Sequence, residues 1–362
     1  MATVSSPQQS PSPTEAAQTN GVADLIRSWL PQIPSVLQKQ GALIALVVVV
    51  VFSTARYSNF DLSTIYNVLN FNLPFGLIAL GMTFVIMTGG IDLSVGGIAA
   101  LGSCVAALNS GHGFFVAAFV AVLVGAAVGV INGFVIAYLN ILPFITTLAT
   151  LYAVRGFSLK LINDASSVNL AQHTNFEDIG TMHIDGGIFS PALPITIPIL
   201  FGVFLIGMFV LRYTQFGRYV LAIGGNAEAS RLMGLPIKRT LMIAYSLNGA
   251  LAGLAGVFLA VNLSGGSATE GNGWELVAIA CVVVGGTLLT GGVGSMFGTL
   301  IGVLLLGVIV QILQLENYFA IIHPGSGLTL SSFWQDVIRG GFLLVVVLLQ
   351  SQLERRRAKK LA

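Results

Sequence analysis

Asp92 is an acidic residue between two apolar runs, within the glycine-rich segment TGGIDLSVGG at 88–97. The segment joins two apolar runs, and a carboxylate at the centre of a bilayer costs about 2.5–3.5 kcal/mol unless it faces a cavity or a partner. The flanking glycine pairs permit irregular backbone, which is tolerated at that depth only against protein or water. Two interpretations stay open: Asp92 and Ser94 belong to a gate or pathway, or one of them caps the helix that follows.

Three further polar residues fall inside apolar runs, namely Asn132, Arg155 and Asn248. The two asparagines are predicted to line the interior of the protein, because polar side chains in such runs usually face the bundle interior. Arg155 can extend its charged head to the membrane interface, as Lys160 is expected to do, or it can pair inside the bundle. Asp92 is not an obvious partner for it, because Asp92 is expected nearer the opposite face.

The segment NLSGGS at 262–267 raises the question of ATP hydrolysis, because Leu-Ser-Gly-Gly also occurs where certain ATPases contact a nucleotide. Hydrolysis additionally requires a phosphate-binding G-x-x-x-x-G-K-[ST] loop, and no lysine of this chain ends such a motif. We therefore predict a flexible Ser/Gly turn without a nucleotide role. No predicted span contains a histidine, so an enzyme embedded in the membrane is not expected either.

The composition places most of the chain in a lipid bilayer. Of its 362 residues, 55% are hydrophobic and 8% are charged, whereas a soluble domain carries about 25% charged residues. The N-terminal segment 1–40 is rich in Ser, Pro, Gln and Thr and is predicted to be disordered. Two cysteines and scattered histidines cannot form a disulfide framework or a metal cluster, so we expect no metal and no cofactor bound by the chain itself.

We predict an all-α polytopic membrane protein with about ten spans, since a span needs about 20 mostly apolar residues. The membrane domain covers 41–350, and a basic tail follows at 351–362. The candidate spans lie roughly at 41–56, 65–88, 92–110, 114–138, 142–163, 192–211, 241–262, 274–290, 294–314 and 332–350.

The charges of the loops orient these spans. The stretch 163–191 contains acidic residues and no Lys or Arg, whereas 212–240 and the tail are rich in Lys and Arg. Because cytoplasmic loops carry an excess of basic residues, the loop 212–240 and both termini are predicted to be cytoplasmic. The stretches 163–191 and 263–273 are then outside.

Glycine patterns predict how the helices meet. Thr88-Gly-Gly and Thr290-Gly-Gly each precede a span, a weak echo of an internal repeat whose two breaks both face inside. Glycines four residues apart favour close helix packing. They occur at Gly125, Gly129 and Gly133, at Gly249 and Gly253, and at Gly298 and Gly302.

The basic loop contains the segment GGNAEASRLMGL at 224–235. Residues 226–233 are predicted to form a short helix along the membrane surface, which Gly234 can end and Pro236 prevents from restarting. From the residues alone, a solvated positive loop that only sets orientation remains an alternative.

Glu228, Ala229 and Ser230, with Gly234 six residues after the glutamate, resemble the E-A-A---G coupling motif of ABC importer permeases. TGGIDLSVGG, GGNAEASRLMGL and the segment ELVAIACVVVGGTLLTGGVGSMFGTLIG at 275–302 resemble the ribose- and xylose-type sugar permeases of that superfamily. The resemblance covers about residues 65–350. Ser230 stands where alanine is usual, a small residue for a small one.

This resemblance implies a type II ABC importer-like permease that forms a channel in the bacterial inner membrane, as a homodimer or with a close paralogue. It implies a cytoplasmic ATPase partner that binds the ATP and receives the helix around Glu228. It also implies a periplasmic sugar-binding protein and a monosaccharide substrate, with no nucleic-acid partner. Near the pathway, Arg155 could donate hydrogen bonds to sugar hydroxyls.

Two alternatives remain. An ion-coupled secondary transporter would need several paired charges inside the membrane, and Asp92 is essentially the one acid found there. A branched-chain amino acid permease would share a similar coupling loop, but the segment GGIDLSVGG favours the sugar branch.

Overall fold

The computed structural model describes residues 33–57, 60–171, 175–184 and 192–322, together with single helical positions at 337, 340, 341 and 344. The predicted basic tail and most of the predicted tenth span lie outside the described residues, as do residues 1–32 of the N-terminal extension. The helices in the first part of the chain are α1 Ile33–Arg56, α2 Leu62–Phe71, α3 Leu73–Met87, α4 Val95–Asn109, α5 Phe114–Tyr138 and α6 Pro143–Leu161. Those that follow are α7 Asn175–Gly180, α8 Thr196–Tyr213, α9 Gln215–Gly225, α10 Ala227–Leu232, α11 Ile237–Asn262, α12 Trp274–Val284 and α13 Met296–Ile322.

Helices occupy the first nine predicted spans, but they differ in length. Among the described residues, four are long and apolar enough to cross a membrane: α5, α8, α11 and the part Met296–Leu315 of α13. The pair α2 and α3 would be a fifth such span, bent by 50°. By contrast, α4 has 15 residues and α12 has 11, which is fewer than the roughly 17–25 needed to span a bilayer.

The bend between α2 and α3 is encoded at Asn72 and Pro74. Pro74 lies in the first turn of α3, where a residue without an N–H is tolerated. In the middle of one continuous helix the same proline would remove a backbone hydrogen bond and break the helix. Asn72 is both the C-cap residue of α2 and the N-cap residue of α3, and its side-chain amide donates to the carbonyl of Val68 at 2.6 Å. One apolar run of the sequence therefore becomes two helices.

The most extensive helix contact joins α5 and α11, and glycines make it. A Cβ atom added at Gly129 would meet the carbonyl of Tyr245, and one added at Gly249 would meet the carbonyl of Gly125. A Cβ atom added at Gly302 would likewise meet the carbonyl of Cys281, where α13 crosses α12. The predicted packing role of these glycines is confirmed, because backbones approach this closely only where side chains are small.

The segment NLSGGS is not a flexible turn, so that prediction was wrong. Gly265–Ser267 forms a buried strand, β4, that pairs antiparallel with β1, Ser167–Asn169. A Cβ atom added at Gly266 would lie 2.7 Å from the Cα atom of Cys104 in α4. A second small pair joins β2, His183–Ile184, to β3, Leu193–Pro194. The connection after α6 and the connection after α11 are thus bound to each other and to α4.

Candidate functional site

Four of the polar residues singled out in the sequence form one buried hydrogen-bonded chain. The carboxyl of Asp92 accepts from the hydroxyl of Ser94 at 2.6 Å and from its amide at 2.9 Å. Its other oxygen accepts from the side-chain amide of Asn248 at 2.9 Å. Asn132 then donates to the hydroxyl of Ser94 at 2.9 Å. All four side chains are fully buried, so their polar atoms satisfy one another rather than water.

This hydrogen-bonded chain of side chains links the connection between α3 and α4 to three other helices. Asn132 lies in α5 and Asn248 in α11, whereas α6 contributes two threonines that sequence reasoning missed. Thr150 donates to Asn132 at 2.6 Å, and Thr147 accepts from the amide of Leu93 at 3.1 Å. The available signal was their spacing of three residues, which places both on one face of α6.

The capping interpretation of Asp92 and Ser94 was wrong. Ser94 occupies the cap position of α4 but makes no side-chain bond to its first turn. The carboxyl of Asp92 bonds to Ser94 and to distant Asn248 instead. Two neighbouring atoms have no hydrogen-bond partner among the described residues: the amide oxygen of Asn248 and the hydroxyl of Tyr245. That hydroxyl lies against Gly90, where an added Cβ atom would meet it.

Arg155 is not part of this buried hydrogen-bonded chain. Its guanidinium donates to the carbonyls of Glu270 at 3.2 Å and Ala268 at 3.4 Å, in the connection between α11 and α12. Glu275, which sequence reasoning also missed, attracts Arg155 electrostatically. One carboxyl oxygen of Glu275 is buried without a hydrogen-bond partner in the described part of the chain, and it faces Gly96. Arg155 therefore binds the connection between α11 and α12 to α6.

The predicted short helix of the basic loop is present as α10. Asn226 caps it by accepting from the amide of Ala229 at 2.9 Å, and Gly234 follows it with a φ of +76°. This left-handed conformation suits glycine and ends the helix. Glu228 is exposed in the first turn, where a negative charge complements the helix dipole, and Ser230 is buried.

The end of α10 presents unusual apolar exposure. Leu232 is 82% exposed and the following Met233 is 67% exposed. Two large adjacent apolar side chains in a loop rich in Arg and Lys are not stabilised by any core. Exposed apolar residues rimmed by polar ones mark interaction surfaces.

The segment before α10 rests on the two Thr-Gly-Gly turns. The amide of Gly292 donates to the carbonyl of Met87 at 2.9 Å. A Cβ atom added at Gly291 would lie 2.7 Å from the nitrogen of Gly89 and 3.1 Å from the Cα atom of Gly224. The turns at 88–90 and 290–292, separated in sequence, therefore meet beneath the end of α9. We call this contact the glycine junction.

Comparison with known proteins identifies the family. The profile of the family described as branched-chain amino acid transport system, permease component, matches residues 64–347. The chain belongs to this family. It is therefore a helical, multi-pass membrane protein that acts as a transport permease and not as an enzyme.

Curated relatives resemble nearly the whole chain. The ribose import permease protein RbsC of Escherichia coli (strain K12) is 38% identical over 320 residues, covering 87% of this chain and 94% of the relative. The L-arabinose ABC transporter permease protein AraH of Azospirillum brasilense is 37% identical, covering 88% and 90%. The fructose import permease protein FruG of Bifidobacterium longum (strain NCC 2705) is 34% identical, covering 76% and 78%. No solved structure matches.

Proposed function

We propose that this chain is the permease subunit of an ATP-driven importer of monosaccharides. The observation that carries the proposal is α10: a short capped helix in a basic loop that exposes Glu228, Leu232 and Met233. A helix of six residues cannot be stable alone, and its exposed apolar end is suited to a groove on a partner. Relatives named for sugar import supply the substrate class.

The partner of α10 is a separate cytoplasmic ATPase, which holds the ATP. Glu228, Ala229, Ser230 and Gly234 form the ATPase-coupling segment. The outer side receives a periplasmic sugar-binding protein. A second permease copy, identical or closely paralogous, completes the channel.

The membrane arrangement of the proposal is that predicted from the loop charges. The domain at 41–350 crosses the bacterial inner membrane about ten times, and both termini are cytoplasmic. The extension 1–40 and the tail 351–362 lie on that side, as does the coupling loop 212–240, and 163–191 is periplasmic.

The buried polar chain is proposed as a gate element rather than as a substrate contact. Asp92, Ser94, Asn132 and Asn248 have no exposed surface in this conformation. They join the connection that enters the glycine junction to α5 and α11. Arg155 is proposed as an outer pathway residue, since its guanidinium is half-buried against the outer connection.

Reconstitution tests the proposal. The tagged permease is purified from its native membranes in mild detergent, and co-purification of a cytoplasmic ATPase at about one copy per permease is expected. The complex is then placed in proteoliposomes with its binding protein. Labelled D-ribose, L-arabinose and D-fructose are compared with L-leucine.

Import of a monosaccharide that depends on ATP supports the proposal. Import of L-leucine alone would instead make the chain an amino acid permease. Purified permease that moves solute along an ion gradient without an ATPase would make it a secondary transporter.

A further inference from the structure

A cavity of about 280 Å³ lies beside the bend between α2 and α3. Broken helices of membrane transporters commonly line the substrate site near the middle of the bilayer. Three elements form the walls: the bend itself, α12 and the middle of α13. The lining residues are Val68, Phe71, Asn72, Phe75, Val277, Cys281, Leu306, Gly307, Val310, Gln311 and Gln314.

Amide side chains supply the polar part of this lining. Gln311 and Gln314 are three residues apart and so lie on one face of α13. Neither has a hydrogen-bond partner among the described residues. Each amide offers two donors and one acceptor, and Asn72 adds a third amide at the bend. Gln311 is half-buried and Gln314 is exposed, so both amides are open to a ligand in the cavity.

Aromatic rings supply the apolar part. Phe71 is 58% exposed, so much of its ring is free of contacts within the described part of the chain. Phe75, one turn beyond the bend, packs on Trp274 with ring centroids 4.4 Å apart. This contact holds the Phe75 ring in place. A ring face is a platform for the C–H side of a sugar, while amides bond to its hydroxyls.

The charge of the lining discriminates between ligands. None of the eleven lining residues in the described part of the chain is acidic, basic or histidine. An amino acid carries an ammonium and a carboxylate, and burying either without an opposite charge is costly. A neutral polyhydroxylated molecule needs only hydrogen bonds. The cavity therefore fits a sugar better than an amino acid.

We propose that this cavity holds the monosaccharide during transport, with Gln311 and Gln314 binding its hydroxyls and Phe71 and Phe75 packing on its apolar face. The inference rests on the proposed function and names the site at which that function is exerted. It places substrate contacts on α2, α3 and α13, none of which contains a residue of the buried polar chain.

The test measures sugar import and ATP hydrolysis in parallel in proteoliposomes containing the assembled importer. Gln311→Met and Gln314→Met keep the side-chain volume but remove the amide. With saturating sugar-loaded binding protein, each is expected to lower import of the labelled sugar about tenfold, as expected from lost hydrogen bonds. ATP hydrolysis stimulated by the loaded binding protein should stay unchanged, because α10 is untouched. Leu313→Met, between the two glutamines but outside the lining, is the matched control.

Unchanged import by both glutamine variants would overturn the cavity assignment and leave the proposed function standing. A wild-type complex that imports L-leucine and no monosaccharide would overturn the proposed function itself. Should the glutamine variants fail to assemble, single cysteines at Val310→Cys and Leu313→Cys give a second measurement, corrected for the labelling of the parent protein, whose Cys104 and Cys281 are buried. Sugar-loaded binding protein should slow N-ethylmaleimide labelling at position 310 and leave position 313 unaffected; equal effects at both positions would overturn the assignment.

Discussion

The amide of Gly292 donates to the carbonyl oxygen of Met87 at 2.9 Å, so two turns about 200 residues apart share a hydrogen bond. The end of α9 packs on both turns through Gly224, and α10 begins two residues after Gly225. The helix α10, proposed to bind the ATPase, is therefore joined through the glycine junction to the connection that contains Asp92.

Gly224→Ala should disrupt the glycine junction, because an added Cβ atom at Gly224 would meet the carbonyl of Met87 and the nitrogen of Gly292. Overpacking of this kind costs about 1–3 kcal/mol. We expect sugar import to fall while the ATPase still co-purifies. Gly225→Ala is the matched control, because an added Cβ atom there meets nothing within 4 Å. Equal import by both variants would show that the junction does not participate in coupling.

Glu228→Lys should abolish import while leaving membrane insertion intact, because it reverses the charge of an exposed side chain in the first turn of α10. The new lysine also opposes the helix dipole, an effect of about 0.3–1 kcal/mol. The measurement is sugar uptake by cells, alongside the amount of permease in the membrane and of ATPase that co-purifies with it. Glu228→Gln keeps the shape and should retain part of the activity. Normal uptake by the lysine variant would remove the coupling assignment.

Asp92→Leu should destabilise the permease, because it removes the acceptor for Ser94 and Asn248 in a fully buried place. Leaving buried donors unpaired costs about 1–3 kcal/mol each. Asp92→Asn should be tolerated far better. Its amide oxygen can accept from Ser94, and a rotated Asn248 amide can present its presently unpaired oxygen. The check is the midpoint of thermal unfolding in detergent together with sugar import. If Asp92→Asn unfolds as readily as Asp92→Leu, the role of Asp92 requires a carboxylate.

Gly129→Ala should separate α5 from α11, since an added Cβ atom at Gly129 would meet the carbonyl of Tyr245 and lie 2.8 Å from the Cα atom of Ser246. A loss of about 1–3 kcal/mol is expected, measured as a lower midpoint of thermal unfolding. Gly202→Ala in α8 is the control, because an added Cβ atom at Gly202 meets nothing within 4 Å. A control that unfolds as early as the test variant would attribute the loss to lost glycine flexibility rather than to packing.

Ser264→Ala should leave ATP turnover of the assembled complex unchanged, because the loop charges predict that Ser264, just before β4, lies on the side opposite the proposed ATPase. Its φ of +49° is uncommon for residues other than glycine, so a small loss of thermal stability is the expected effect. The assay is ATP hydrolysis with sugar-loaded binding protein. A large loss of turnover at normal protein level would assign NLSGGS a nucleotide role after all.

Local features of the fold were predictable, and long-range ones were not. The spacing of Gly125, Gly129 and Gly249 was enough to predict helix packing, because it records how closely two backbones approach. Gly234 marked the end of α10 for a similarly local reason. The bend at Asn72 was overlooked, although Pro74 was visible in the sequence.

The buried polar chain required the tertiary structure. Asp92 and Asn248 are 156 positions apart, and no periodicity relates them. The same holds for β4, whose partner β1 lies about 100 residues earlier, in the connection after α6. The proposed coupling segment could be recognised because it is a short contiguous helix, whereas the proposed gate and the cavity depend on which helices meet.

The contacts among Gly89, Gly224, Gly291 and Gly292 are made by main-chain atoms. They involve no charged side chain, so salt does not weaken them, whereas docking through the exposed Glu228 is screened by salt. Coupling in this permease would then have two components. The electrostatic one, at Glu228, depends on the salt concentration of the cytoplasm. The steric one, at the glycine junction, depends on the absence of side chains. The steric contact at the glycine junction is therefore insensitive to the ionic strength of the solution, but it does not tolerate a single added methyl group.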